Sequence, residues 1–207
     1  MQQPSVSTLG EHLVAMYAHG DVGLETGPLA DWFARANGQQ RETVLSDVGR
    51  GLRPPSDDQS APRDERVPPE VLARLQQLWN IRINAPGHKE EASAFAWWFA
   101  SGLFEDRWAM EHLASAARTR GRMDALHFAS ERLSRLADRF PGEGVELLSA
   151  LLQTQERDMW SYSLRDALRP ILEAAKRAGG SAWEAARYVI NRMGERGLGD
   201  YGDLLRN

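Results

Sequence analysis

The apolar residues Leu126, Ala129, Leu133, Leu136 and Phe140 recur at steps of three, four, three and four. That spacing lines five side chains along one side of an α-helix and scatters them over both faces of a strand. The same period returns along the chain. Leu9, Leu13, Met16 and Tyr17 form one stripe, and Leu29, Trp32, Phe33 and Ala36 follow Pro28, a residue suited to the first position of a helix. Val44, Leu45, Val48 and Leu52 form another, ended by Pro54-Pro55. Pro68-Pro69 opens a helix carrying Val71, Leu72, Leu75, Leu78, Trp79 and Ile83. Phe95, Trp98, Phe99 and Gly102 share a face, and Asp106 is placed to cap a helix with Trp108, Leu113 and Ala116 inward. Val145, Leu148, Leu151 and Leu152 continue the pattern after Pro141-Gly142. Ser163 with Asp166 and Ser181 with Glu184 have the spacing of capping boxes at two later starts. Pro170 predicts a kink or a split in the first of these helices, and Gly194 with Gly197 ends the second. Ile81-Arg82-Ile83-Asn84 alternates, but it lies at the end of a helical stripe.

Each stripe needs an apolar partner, and stripes of this kind find one in each other. The expected fold is therefore all-α. Short connections make successive helices antiparallel, and residues 123–140 pair with 142–154 as 162–178 pair with 182–194. Their spacing is near the two-helix period of a short HEAT-like solenoid, with an irregular helical bundle as the alternative. The expected organisation is N-terminal helices over 1–52, an exposed linker over 53–67 and a helical-hairpin region over 68–207, continuous with 1–52. The linker holds three prolines and seven charges, the one clear break in composition.

Three stretches carry a resemblance to a known family: Leu75–Arg82 (LQQLWNIR), Phe95–Trp108 (FAWWFASGLFEDRW) and Val189–Gly197 (VINRMGERG). Together they resemble the HEAT-like, helical C-terminal regions of large bacterial proteins. Those proteins carry a nucleotide-hydrolysing or effector domain upstream and belong to anti-phage defence. The resemblance implies a scaffold or sensor part whose catalysis lies in domains outside this chain.

Composition narrows the chemistry. The chain of 207 residues has no cysteine, which removes disulfides, thiolate metal sites and cysteine nucleophiles. Its apolar run at Phe95–Ala100, preceded by Ala94, is far short of the roughly 20 residues that span a bilayer. Met1-Gln2-Gln3-Pro4 lacks the basic and apolar regions of a secretory signal, so the expected location is the cytoplasm. The net charge of −4 is spread without the positive excess of a nucleic-acid domain. Among 25 basic residues only Lys89 and Lys176 are lysines, and arginine suits bidentate pairing with carboxylates on helix surfaces.

Motifs for catalysis are lacking. Gly197-Leu198-Gly199-Asp200-Tyr201-Gly202 has dinucleotide-type spacing but follows a helix, where the mechanism needs a strand. No P-loop is present. His12, His19, His88, His112 and His127 show no ligand spacing on one helix face, although His112 and His127 approach each other if their helices pack. Asp57-Asp58 and Glu90-Glu91 read as solvated pairs in a loop and at a helix start. The expected catalytic, metal and cofactor residues are none.

Two features suit partner binding. Trp97 is rotated by roughly 100° from the Phe95–Trp98–Phe99 stripe, so either its helix is buried on two sides or it is an interface anchor. Arg118, Arg120 and Arg122 form a basic turn, with Arg132, Arg135 and Arg139 on one side of the next helix. That cluster either meets phosphates or an acidic surface, or pairs locally with Glu131 and Asp138. The reading that follows is a non-catalytic helical-repeat module that binds protein, its partner being another domain of a larger assembly or a second copy. A nucleic-acid-contacting module using the Arg118–Arg122 turn is the first alternative. A hydrolase with a dispersed site is the second.

Overall fold

Ten α-helices, two 3-10 helices and no strand form among the residues described in this computed structural model: 6–53, 67–85, 90–120, 123, 125–153, 162–197 and 199–206. The side chains of 90, 119, 120, 162–166, 199 and 200 are not among them. The protein is all-α. The α-helices are α1 (Val6–His19), α2 (Pro28–Arg35), α3 (Gly38–Gly51), α4 (Pro69–Asn84), α5 (Phe95–Ser101), α6 (Asp106–Arg120), α7 (Leu126–Leu136), α8 (Pro141–Gln153), α9 (Tyr162–Ala178) and α10 (Gly180–Glu195). The 3-10 helices are Glu90–Ala94 and Gly199–Leu205. Most of the expected linker, residues 54–66, lies outside the described residues. The helices divide into two compact units, Met1–Glu105 and Asp106–Asn207.

In the first unit α3 is the central element, packed by α1, α5 and the first 3-10 helix, while α1 also meets α2 and α4. An aromatic cluster fills the core. Trp79 stacks on Phe95 with centroids 5.1 Å apart and meets Phe104 edge-on at 5.1 Å; Trp98 contacts all three rings. Such ring pairs add about 0.5–1.5 kcal/mol each beyond the burial of their area. Buried Trp98 donates its indole N–H to the Leu45 carbonyl at 2.7 Å, which joins the cluster to α3. Two glycines let helices approach these rings. A Cβ on Gly10 would stand 2.4 Å from Trp32, and one on Gly49 would stand 2.5 Å from Trp98 and 2.8 Å from Trp97.

Several local expectations need correction. Leu9 is exposed, because α1 turns Gly10 and Val14 inward to admit Trp32; Leu13 and Tyr17 are buried as read. The helix expected to start at Glu90-Glu91 and to carry Phe95, Trp98 and Phe99 is split into a 3-10 turn and α5, and Gly102 ends α5 in a left-handed conformation (φ 71°). Neither expected capping box sits at a helix start. The left-handed pair Gly179-Gly180 lets α10 begin at Gly180, which leaves Ser181 inside the helix, and α9 already begins at Tyr162, before Ser163. A reciprocal box forms instead at α3: Gln40 N–H donates to the Asn37 side chain and Asn37 N–H to the Gln40 side chain, both at 2.9 Å. Pro170 does not split α9, whose residues Leu168, Ile171 and Leu172 on either side of it are buried. That burial offsets the backbone hydrogen bond proline removes.

In the second unit α7 and α8 pack more extensively on their second neighbours than on each other. Helix α8 lies against α6 and α10, while α7 lies against α9. Ends of like polarity meet. Arg107 pairs with Glu143 at 3.1 Å near the starts of α6 and α8. Arg177 pairs with Asp138 at 2.6 Å just past α7 and at the end of α9. Arg196, just past α10, donates to the Leu152 carbonyl at the end of α8, at 2.8 Å. Alternate helices therefore run parallel, which is what successive antiparallel helices produce. The chain end folds back: Tyr201 and Leu204 are buried, and Lys176 donates to the Leu204 carbonyl at 2.7 Å.

Two predictions test this packing. Gly49→Ala forces a methyl group against the core indole and is expected to cost about 1–3 kcal/mol. Gly51→Ala, with nothing within 4 Å, is expected to be neutral or mildly stabilising. Denaturant unfolding measures both. Burial pushes the Tyr17 hydroxyl above its usual value, with Arg74 opposing, and the hydroxyl donates to Gln77 at 3.0 Å. The folded state then holds the Tyr17 proton more tightly than the unfolded chain. Stability is expected to fall as pH rises above about 10, and Tyr17→Phe is expected to reduce that slope.

Candidate functional site

Burial sorts the charged side chains of the first unit into two classes. Glu91 is completely buried, and its carboxylate lies between the guanidinium groups of Arg41 and Arg82. Arg82 binds it bidentately, Nε to Oε2 at 2.8 Å and Nη2 to Oε1 at 2.7 Å, while Arg41 Nε donates to Oε1. Arg41 also donates to the Phe33 and Ala36 carbonyls at the end of α2, where the helix dipole is negative. Arg82 covers the face of Phe33, 4.3 Å from the ring centroid. Beside the triad, Ser93 donates to Glu42 at 2.5 Å. The sequence reading of Glu90-Glu91 as a solvated pair is therefore wrong for Glu91. The tight turn of the 3-10 helix points that side chain into the unit, where two arginines from α3 and α4 replace water. These donor–acceptor links lie inside one unit and tie α2, α3, α4 and the 3-10 helix together.

Trp97 is half-buried. Its ring is flanked by Arg50 at 5.6 Å and Arg53 at 5.8 Å, both at the end of α3. Arg50 is itself oriented by Asp47 at 2.5 Å. Cation–π contacts of this kind contribute roughly 0.5–1 kcal/mol at exposed sites.

Arg118 is exposed and pairs loosely with Glu146 at 3.7 Å. It stands over a groove of about 390 Å³ between α6 and α8, lined by Met110, Glu111, Ala114, Gly142, Glu143 and Glu146. The floor is apolar and the rim carries three carboxylates. The Arg120 side chain and the whole of Arg122 lie outside the described residues. The expected pairing of the neighbouring arginines with Glu131 and Asp138 is replaced by a longer-range one. Arg132 and Arg139 converge on buried Asp106, at 2.6 and 3.1 Å, while Glu131 meets His127 and Asp138 meets Arg177. Desolvated at the start of α6, Asp106 draws both cations across from α7 and the turn after it. His112 stacks on Trp108 of its own helix at 4.2 Å, so the two histidines turn to separate partners.

A second surface lies away from the residues singled out in the sequence. Between α8 and α10 a small recess of about 30 Å³ is lined by Ser149, Leu152, Gln153, Tyr188, Val189, Arg192, Met193 and Arg196. Tyr188 is 57% exposed. Its signal was present, because Tyr188 falls off the Ala186–Val189–Ile190–Met193 stripe. Among the described residues no group of three or more His, Asp or Glu side chains is arranged to hold a metal ion, and no helix is long and apolar enough to cross a membrane. Comparison with protein families, curated proteins and solved structures finds no match.

The triad yields a prediction of direction and size. Glu91→Gln leaves two buried guanidinium groups without their counter-charge, and unfolding experiments are expected to show a loss of about 3–5 kcal/mol. Replacing all three by Met, Leu and Met removes the charges together and is expected to cost far less.

Proposed function

We propose that this chain is a non-catalytic, α-helical repeat module that binds protein, serving as a scaffold or sensor part of a larger assembly. The packing of the second unit carries the reading. Helices α6, α8 and α10 follow one another in one row and α7 and α9 in another, with like ends together. A HEAT-like stack has this pattern: each helix gives its apolar stripe to its neighbours, and the outward side chains form one continuous surface. The three stretches with a defence-protein character support the same reading, as a cytoplasmic bacterial module of that type. The charged groups reinforce it. The strongest pairs, Arg82–Glu91 and Arg132–Asp106, join one helical element to another. Around Arg118 the described side chains are rich in carboxylates, which suits a protein surface better than a phosphate backbone.

The test uses the immobilised full chain, its Trp97→Ala variant and its Tyr188→Ala variant. The expected result is a discrete protein partner retained after nuclease treatment, reproduced by titration calorimetry with that partner purified. Retention by at least one folded variant is expected to fall about tenfold or more. Capture abolished by nuclease, together with salt-sensitive binding of labelled duplex or single-stranded DNA or RNA that Arg120→Ala plus Arg122→Ala removes, would establish the nucleic-acid alternative instead.

A further inference from the structure

The two grooves of the second unit open on one stripe of α8. Gly142, Glu146, Ser149 and Gln153 recur at helical spacing and form the side of α8 that its neighbours leave uncovered, Val145, Leu147, Leu148, Leu151 and Leu152 being buried on the other sides. The first half of the stripe borders the α6–α8 groove and the second half borders the α8–α10 recess. The two ends differ in shape and in charge. One end is a hollow with a floor of Met110, Ala114 and Gly142 and a rim of Glu111, Glu143 and Glu146, over which Arg118 stands and where Glu143 is paired with Arg107 at 3.1 Å. The other is a projection, exposed Tyr188 beside Arg192 and Arg196. Arg192 has a loose pair with Glu195 at 3.3 Å, and Glu146 a looser one with Arg118 at 3.7 Å. Both are exposed pairs, which contribute little and exchange readily.

Resting on the reading of the chain as a protein-binding module, we propose that the partner of this face is the same face of a second copy of the chain. A two-fold axis that lies in this face near Ser149, perpendicular to the line from Tyr188 to the hollow, crosses the stripes of two α8 helices over each other. Each Tyr188 then enters the hollow of the other copy, and each Arg192 meets the other copy's glutamate rim. Knob and hollow are satisfied twice by one operation, which closes the pair and leaves no free end for growth. Small side chains at Gly142 and Ser149 permit close approach of the stripes. Tyrosine supplies a large, stiff anchor with a polar tip, and the glutamates of the rim accept from that tip.

The experiment is sedimentation velocity of the full chain over a range of concentrations, with circular dichroism to confirm that each variant is folded. The wild type is expected to show a monomer–dimer equilibrium. Tyr188→Ala, Arg192→Glu and Glu146→Arg, all at exposed positions, are each expected to weaken dimerisation about tenfold or more. The double variant Arg192→Glu plus Glu146→Arg reverses both ends of the face, restores opposite charges across the axis, and is expected to recover most of the lost affinity. A wild type that stays monomeric throughout overturns the proposal, as does a dimer that the single variants leave unchanged or that the double variant weakens further. These outcomes leave the module reading to its own capture test, since a monomer can still bind a different protein.

Discussion

A carboxylate with no access to water organises the first unit. Glu91 can remain charged only where fixed donors replace the solvent it has lost, and Arg41 and Arg82 supply them from α3 and α4. The requirement runs outward. Arg41 needs its own acceptors and takes the last carbonyls of α2; Arg82 lays its planar group on Phe33 of the same helix. Satisfying one buried charge therefore sets the mutual positions of three helices and the 3-10 turn. The aromatic cluster adds buried apolar area, but rings slide over one another at small cost. A bidentate guanidinium–carboxylate pair does not, because its hydrogen bonds are directional. In this unit the apolar contacts drive assembly and the triad selects one arrangement.

The second unit answers a different constraint. Its helices are strongly striped, and α8 is buried on every side but one, so it sits between two others. Alternate helices then align, and the ion pairs Arg107–Glu143 and Arg177–Asp138 form where like ends meet. Asp106 holds Arg132 and Arg139 at the start of α6, much as Glu91 holds its two arginines. The preference for arginine over lysine is explained by these sites. A planar fork reaches a carboxylate and keeps packing against its neighbours, whereas a lysine carries a point charge that prefers water. A further exposed pair secures the chain end: Asp203 is held below the usual carboxylate range by the hydrogen bonds of Arg169, which tie the terminal turn to α9.

Much of the element plan was legible because helical periodicity survives in a single sequence. The stripes of α4, α7 and α8 appear in the core as read apart from half-buried Leu72 and Phe140, the latter beyond the end of α7 at Leu136, and Pro68-Pro69 and Pro141 open their helices. Caps were less legible. Ser181 and Glu184 have the right spacing, but two consecutive glycines ahead of them start the helix early, while Asn37 and Gln40 form a box at a weaker apolar run. Asp106 was read as a cap, yet its carboxylate receives arginines distant in the chain. The candidate surface was legible only in part. Trp97 and Arg118 stood out by residue type, whereas Tyr188 carried only the sign of lying off its stripe, and the hollow between α6 and α8 has no sequence signature. A hollow is the space between two helices, and spacing along one helix cannot report it.

Local pattern alone settles that this chain is helical, where most helices begin and end, and which side of each is apolar. Those properties depend on residues three and four apart, which the sequence displays directly. Tertiary structure decides which stripe meets which, that Glu91 loses its water while Glu146 keeps it, and that two grooves of opposite character open along one helix. Partner choice and desolvation depend on groups far apart in the chain, and burial, unlike periodicity, belongs to the assembled helices together.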